Sequence, residues 1–237
     1  KKMYQLQHIM GLQSNWGATA IRYGVAWHGI MEGFHQHIKE QGWTNIPDGM
    51  LRGLKLGKKL FDKEGETKQF NDDYRSFNAA AEGLNQYLNF FAQDSQFIKV
   101  IGTETKFECE ITAENELEHR LLSLLPPIHF TGRIDLSVEM DHMNWIWDFK
   151  TTGWQLDKMV MQAGRSPQII GYSFAGDKVL DFTPNGAIIS FAFISSRKSA
   201  KTGDYGNITY DFRRVPQVYT EGDIAAWKLS FIETCRD

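Results

Sequence analysis

The chain has 237 residues, 42% hydrophobic and 23% charged, with a formal net charge of −3. This balance predicts a globular protein of one large or two small domains and excludes a broadly basic nucleic-acid coat protein, although not a local basic groove. The two cysteines, Cys109 and Cys235, form no Cys-x-x-Cys pair, which excludes a disulfide framework and favours a reducing, cytoplasmic setting. No secretory leader opens the chain, and no apolar run reaches the ~18–20 residues of a membrane span, so we expect no membrane contact.

The first part of the sequence predicts helices. Residues Gly17 to Glu40 form the first, with Gly42 as its stop. Met50 to Lys63 is a shorter, basic candidate that two glycines weaken, and Asn71 to Ala92 is a third helix. The first helix carries a mostly apolar stripe at helical spacing, made of Ile21, Val25, Trp27, His28, Met31 and Phe34.

Strands dominate the remainder of the sequence. Phe97 to Ile111 alternates as a strand does, and Glu114 to Leu125 is a candidate short helix. A helix begins near Ser166, with Ser166 as its cap and Pro167 in its first turn. The chain then predicts strands over Ala187–Ser195 and Asn207–Val215, around a basic loop, and a closing helix over Glu221–Arg236. This order predicts an α/β fold with a mixed sheet.

A β-hairpin is predicted between the short helix and Ser166. From Ile128 to Met140 apolar and polar residues alternate strictly, which places Ile128, Phe130, Ile134, Leu136, Val138 and Met140 on one face. The aromatic-rich run from Asn144 to Thr151 is the second strand, and the short polar link between them suits a tight turn.

The hairpin sets two carboxylates against each other. If Met140 pairs with Met143, the same register places Asp135 opposite Asp148. Directly opposed like charges destabilise a sheet. We therefore expect a divalent cation between the two carboxylates, with Lys150 beside it.

Four motifs occur along the chain in a fixed order. They are Gly24-x-x-x-His28, Gly132-x-x-Asp135, Asp148-Phe149-Lys150-Thr151-Thr152-Gly153 and Gln168-x-x-x-Tyr172. Together they resemble the motifs of the PD-(D/E)XK nuclease superfamily, most closely its RecB-like branch, which includes CRISPR-associated and phage exonucleases. This chain has one extra Thr before the glycine of the third motif. A lone Asp-x-Lys arises about once by chance in such a chain, so the order of all the motifs carries the resemblance.

The resemblance implies a restriction-endonuclease-like core, a central mixed β-sheet flanked by helices with an N-terminal helical segment. Residues 1–237 would form a single nuclease domain, with a mostly helical part over 1–95 and a sheet-bearing catalytic core over 96–237.

The resemblance also implies roles for the motif residues. His28, Asp135, Asp148 and the backbone carbonyl of Phe149 would bind one or two Mg²⁺ or Mn²⁺ ions, and the imidazole favours tolerance of Mn²⁺. Lys150 would orient or deprotonate the attacking water, or stabilise the transition state. The supporting residues would be Gln168 and Tyr172, which contact the DNA backbone or hold the lysine, and Glu104, which supports the site or binds a second ion.

Each of these residues also has an ordinary structural interpretation. His28 alone would be a core histidine, and the aspartates could form ion pairs with Arg133 and Lys150. Two basic stretches are either solvated surface or phosphate contacts: Arg52, Lys55 and Lys59 at helical spacing, and the loop residues Arg197 and Lys198.

The resemblance implies a metal-dependent DNA nuclease, most readily an exonuclease of recombination, repair or phage replication acting on single strands or duplex ends. The alternatives are an endonuclease of the same superfamily, an inactive relative that binds DNA ends, and an unrelated metal-binding fold. The intact Asp148-Phe149-Lys150 argues against the inactive relative. A recombination partner, a helicase partner and a homo-oligomer all stay open, and the chain has no Walker A motif of its own.

Iron–sulfur ligation is not expected in this chain. Many RecB-like nucleases carry a C-terminal cysteine cluster, but only Cys235 lies near the end here. The chain starts at Lys1 rather than Met, so a longer natural protein, with Cys235 as a first cluster ligand, stays open.

Overall fold

The computed structural model describes residues 19–67, 74–153 and 155–236. Helices come first: α1 (Thr19–Gln41), a 3₁₀ turn (Gly42–Asn45), α2 (Ile46–Thr67), α3 (Phe77–Phe90) and the short α4 (Asp94–Phe97). Next come β1 (Ile98–Glu110), α5 (Glu116–Leu122), β2 (His129–Met140) and β3 (Met143–Thr152). The remainder comprises α6 (Leu156–Gln162), a 3₁₀ turn (Ala163–Arg165), α7 (Pro167–Val179), β4 (Gly186–Lys198), β5 (Tyr205–Gln217) and α8 (Glu221–Arg236).

The five strands form one mixed sheet in the order β1-β2-β3-β4-β5. Neighbouring strands are antiparallel except β3 and β4, which are parallel. A parallel pair needs a crossover connection, and α6 and α7 provide it. The predicted α/β class, with a mixed sheet flanked by helices and a helical N-terminal segment, is therefore confirmed.

Each face of the sheet has its own hydrophobic core. Residues of α1 and α3 pack with Trp147 and Ile188 on one face. Residues of α7 and α8 pack with Ile146 and Ile189 on the other. Adjacent residues of β3 and β4 thus point into opposite cores, as the two-residue period of a strand requires.

Helix α2 is longer than predicted, because its glycines serve helix packing. A Cβ on Gly53 would lie 2.5 Å from the carbonyl oxygen of Ile30, and one on Gly57 would lie 2.8 Å from that of Ala26. The two glycines let the backbones of α1 and α2 touch, and this contact outweighs the low helix propensity of glycine.

Other boundaries differ from the predictions in detail. The predicted starts of the first and third helices, at Gly17 and Asn71, lie outside the described residues. Helix α3 begins only at Phe77, where the Ser76 hydroxyl accepts a hydrogen bond from the Ala79 amide and caps the helix. The short helices α4 and α6 were not predicted. On α1, Ile21 of the predicted apolar stripe is 59% exposed, and the buried face runs instead through Tyr23, Ala26, Trp27, Ile30, Met31 and Phe34.

The predicted alternation along β2 is wrong at one point. Ile134 packs in the core against α7 and α8, whereas Leu136 and Val138 pack in the core against α1. The strand therefore changes face at Asp135. Opposite this point on β1, Glu104 has a φ of 50°, a conformation that non-glycine residues rarely adopt.

None of the described helices is long and apolar enough to cross a membrane.

Candidate active site

The pairing of β2 with β3 ends next to the two predicted carboxylates, Asp135 and Asp148. Its register is as predicted, from Met140 opposite Met143 to Leu136 opposite Trp147. The turn residues Asp141 and His142 both have positive φ, as a two-residue hairpin turn requires. The ladder ends one step before the predicted pairing of Asp135 with Asp148. Instead, the Phe149 amide donates a 2.9 Å hydrogen bond to Asp135 Oδ2, so the Asp135 side chain occupies the gap between the strands.

Helix α1 places His28 against Asp135. Nδ1 of His28 lies 3.2 Å from Asp135 Oδ2. Burial lowers the pKa of His28, but the hydrogen bond and the charge of Asp135 outweigh burial and raise it overall. A carboxylate bound to one imidazole nitrogen orients the ring and leaves the other, Nε2, for a ligand.

A chain of polar contacts runs from Asp148 to α7. Lys150 Nζ donates to Asp148 Oδ1 at 3.0 Å and to Gln168 Oε1 at 2.8 Å. Gln168 Nε2 in turn donates to Tyr172 Oη at 2.7 Å. The third and fourth motifs thus meet at Lys150, whose ammonium is held from two sides.

Asp148 is the most buried carboxylate of the site, at 3% exposure. Burial raises its pKa to about 6, against the lowering effect of Lys150. Its Oδ2 lies 2.9 Å from Lys150 Nζ, but it has no hydrogen-bond partner of good geometry among the described residues.

Glu104 completes an acidic group with the two aspartates. Its neighbours Thr103 and Thr105 pair with Leu136 and Ile134, so Glu104 faces Asp135 across the β1–β2 ladder. Burial, followed by the charge of Asp135, raises the pKa of Glu104 to about 7. Arg133 forms an ion pair with Glu104, not with Asp135 as the surface-pair interpretation had it.

Two motif glycines are required by close packing. A Cβ on Gly132 would lie 2.5 Å from Cζ of Phe107, and one on Gly24 would lie 3.2 Å from Oγ1 of Thr151. Gly132 therefore lets the Phe107 ring cross β2 beside the site, and Gly24 lets α1 approach the end of β3 closely enough for His28 to reach Asp135.

The site opens into a cleft of about 810 Å³ between α1, α2 and the sheet. His28, Glu104, Arg133 and Thr151 line its polar side, and Ile21, Val25, Leu56 and Leu60 line its apolar side. Glu32, one helical turn after His28, also lines it. The sequence prediction missed Glu32 and the role of Arg133, although the four-residue spacing to His28 places Glu32 on the same face of α1.

The two basic stretches lie in different places. Arg52, Lys55 and Lys59 line a groove of about 470 Å³ that shares Leu56 with the cleft. Within that groove, Arg52 is already bound to Glu40 through contacts of 2.5 and 3.2 Å. Arg197 and Lys198 are exposed at the β4–β5 end of the sheet, and Lys198 lies over the Tyr205 ring at 5.4 Å. No described contact joins them to the site.

The donor chemistry of the site suits a hard divalent cation. Carboxylate oxygens are the preferred ligands of Mg²⁺ and Mn²⁺, and the buried Asp148 has an oxygen without a hydrogen-bond donor. A cation there would offset the desolvation of Asp148 and the repulsion among the carboxylates. The described residues contain no group of three or more His, Cys, Asp or Glu side chains already arranged around one ion. The fit to such an ion rests on the chemistry of the donor atoms and on the unpartnered oxygen of Asp148.

Comparison with known proteins identifies the family. A model of the PD-(D/E)XK nuclease superfamily matches residues 1–236. The chain belongs to this superfamily. PD-(D/E)XK enzymes generally use divalent metals such as Mg²⁺ and act on DNA. No curated protein gives a significant match. Among solved structures, the crystal structure of SSO0001 aligns over 100% of this chain and 84% of its own length, at 10% identity and a TM-score of 0.35.

Proposed function

We propose that this PD-(D/E)XK protein is a metal-dependent DNA nuclease of the RecB-like type, acting as an exonuclease. One observation carries the proposal: His28, Asp135, Asp148 and Lys150, from three separate elements, meet where the β2–β3 ladder opens. Three of the superfamily motifs supply those residues, and the fourth contacts Lys150 through Gln168.

The metal would be held by His28, Asp135, Asp148 and the Phe149 carbonyl, with Glu104 as a supporting carboxylate. When bound, Mg²⁺ or Mn²⁺ acidifies a coordinated water and polarises the scissile phosphate. Asp135 keeps the His28 ring oriented through Nδ1, and the Phe149 amide fixes Asp135. These contacts orient the side chains that would bind the ion.

Lys150 supplies the cationic group of the reaction. Asp148 and Gln168 hold its ammonium at the mouth of the hairpin. From there, Nζ would donate a hydrogen bond to the attacking water or to a non-bridging phosphate oxygen and stabilise the growing negative charge. Tyr172 acts as a positioning residue, because it fixes Gln168, which in turn fixes Lys150.

The decisive test is a time course on end-labelled single- and double-stranded DNA with Mg²⁺, Mn²⁺ or EDTA. We expect cleavage with either metal and none with EDTA. Lys150→Ala should lower the single-turnover rate ~10²–10⁴-fold while DNA binding in EDTA stays unchanged. The matched control is Lys178→Ala on α7, an exposed lysine whose ammonium lies over the Phe174 ring at 4.9 Å.

Three outcomes would contradict parts of this proposal. Equal cleavage by Lys150→Ala and wild type would show that Lys150 has no role in the reaction. Cleavage in EDTA would show that the reaction needs no metal. DNA binding without cleavage under all metal conditions would indicate an inactive end-binding relative. Covalently closed circular DNA tests the mode of action, since an exonuclease leaves it intact and an endonuclease of the same superfamily cuts it.

A further inference from the structure

The cleft continues past the site onto the surface of β1 and β2. A shallow concavity of about 600 Å³ lies there and shares Arg133 with the cleft. Its lining residues are Lys106, Phe107, Glu108, Thr131, Gly132 and Arg133. A strand of nucleic acid leaving the carboxylates along the sheet would enter this concavity.

Two cations face each other in this concavity. Lys106 and Arg133 are directly opposed in the β1–β2 register, one step along the same face from Glu104 and Asp135. Like charges at directly opposed positions destabilise a sheet. An anion between the two side chains would offset that repulsion.

The neighbouring acids do not neutralise Lys106. Glu104 is paired with Arg133, and Glu108 lies 3.1 Å from His129 Nδ1. In the described part of the chain, no ion pair is formed by Lys106, and its side chain is exposed. The lysine therefore contributes a free positive charge directly beside the acidic site.

We propose that Lys106 and Arg133 bind the backbone phosphate next to the scissile one, as part of a track that leads the DNA strand across β1 and β2. This inference rests on the proposed function, since the carboxylates define where the scissile phosphate lies. The spacing agrees with it: successive residues on one face of a strand are about 7 Å apart, comparable to the separation of neighbouring phosphates in an extended strand. Lys106 is then a binding residue of the reaction, and Arg133 links the track to Glu104.

The test uses Lys106→Ala and Lys106→Arg, with Lys99→Ala as the matched control. Lys99 is also an exposed lysine of β1, but it lies at the far end of the strand and binds Glu139. Binding of a fluorescent oligonucleotide is measured in EDTA at several salt concentrations, and cleavage kinetics are measured with Mn²⁺. Thermal midpoints should differ little among the variants, because both lysines are exposed.

We expect Lys106→Ala to weaken binding and raise KM ~3–10-fold with kcat unchanged. The slope of log affinity against log salt should fall in magnitude by ~0.7–0.9, the value for one lost phosphate contact. Lys106→Arg should restore both, and Lys99→Ala should change neither.

The proposed phosphate contact would be contradicted if Lys106→Ala left affinity and salt slope unchanged. It would also be contradicted if Lys99→Ala lowered both as much as Lys106→Ala. If wild type cleaves DNA and Lys106→Ala binds it normally, the phosphate track is wrong but the proposed nuclease function is not affected. If wild type never cleaves, the proposed function fails, but the binding measured in EDTA still decides whether Lys106 contacts the backbone.

Discussion

Burial shifts the pKa values of the site carboxyls, and the contact with Asp135 shifts that of His28. The carboxyl pKa values of Asp148 and Glu104 are raised to about 6 and about 7, and the pKa of His28 is raised as well. As the pH falls through this range, the carboxyls lose their charge and the imidazole gains a proton. All of these changes oppose metal binding, because the ligands must be deprotonated.

We therefore predict that the cleavage rate decreases as the pH falls below neutrality, and that the metal concentration shifts this acid limb of the pH–rate profile. A tenfold increase in Mn²⁺ should shift its midpoint to lower pH, because metal and protons compete for the same groups. Single-turnover rates from pH 5.5 to pH 8.5 at two Mn²⁺ concentrations measure this. A midpoint that does not move with Mn²⁺ concentration would show that the loss of activity comes from the titration of a group outside the metal site.

His35 is a buried histidine of α1 with a structural role. Its Nδ1 contacts the Met31 carbonyl oxygen at 2.8 Å, and its ring stacks on Phe149. Burial lowers its pKa to about 4, although the contact with Met31 acts in the opposite direction. The folded protein therefore keeps His35 neutral, whereas the unfolded chain protonates it near pH 6.5.

This depressed pKa predicts an acid-sensitive fold. The unfolded state binds more protons between about pH 6.5 and pH 4, so the stability supplied by neutral His35 is present above that window and is lost as the pH falls through it. From pH 7.5 to pH 5 the loss is about 2 kcal/mol. His35→Gln cannot titrate, so its stability deficit relative to wild type should shrink by that amount at pH 5 in denaturant unfolding. Parallel pH curves for the two proteins would contradict this.

The motif residues could be predicted from sequence, because motif order and strand period place them without knowledge of their partners. Their contacts could not. The sequence predicts that Asp135 pairs with Asp148. In the structure the two strands separate before that point, and Asp135 contacts His28 and the Phe149 amide instead. Arg133 binds Glu104, from a strand more than 20 residues away, and no local pattern indicates such a long-range pair.

Among the elements, α1 and α2 show how packing overrides local propensity. Sequence rules count Gly53 and Gly57 against a helix, yet α2 runs unbroken through both. The opposing backbone needs that space, and such a requirement depends on a partner helix that propensity does not describe. The closing helix, by contrast, was predicted at its observed bounds of Glu221–Arg236, where polar caps and spacing act locally.

Gly53→Ala should therefore destabilise the protein although alanine favours helices by about 1 kcal/mol. The new Cβ would lie 2.5 Å from the Ile30 carbonyl oxygen, so the helices must separate, at a cost of ~1–3 kcal/mol or more. We expect a lower thermal midpoint in calorimetry. Gly222→Ala in α8, whose Cβ would have only Thr220 Oγ1 nearby, at 3.6 Å, is the control and should be neutral or slightly stabilising. A stabilised Gly53→Ala would show that the two helices do not pack this closely.

At the scale of the whole molecule, the site combines side chains from helices on both faces of the sheet. His28 comes from α1 on one face, and Gln168 comes from α7 on the other. The change of face along β2 at Asp135 makes this convergence possible, because it brings side chains from both sides to one point. Strict alternation predicts a uniform strand, so the sequence indicated the site residues but not the irregularity that assembles them.

The distribution of charge over the molecule determines which surface binds DNA. Net charge is −3, so long-range attraction is weak and local basic grooves must supply the phosphate contacts. Lys55 and Lys59 line the groove that shares Leu56 with the cleft. The other basic stretch continues from Lys198 to the exposed Lys201 in the β4–β5 loop, and neither lysine has a described contact to the site.

We predict that the two basic stretches are not equivalent in DNA binding. The double variant Lys55→Ala/Lys59→Ala should weaken affinity about tenfold in EDTA and reduce the salt slope by ~1.4–1.8, the value for two phosphate contacts. Lys198→Ala/Lys201→Ala removes the same charge and should leave the slope unchanged, because net charge alone acts weakly at physiological ionic strength. An equal loss in both double variants would mean that binding follows total charge. A loss confined to Lys198→Ala/Lys201→Ala would place the DNA along β4 and β5, away from Leu56 and the cleft.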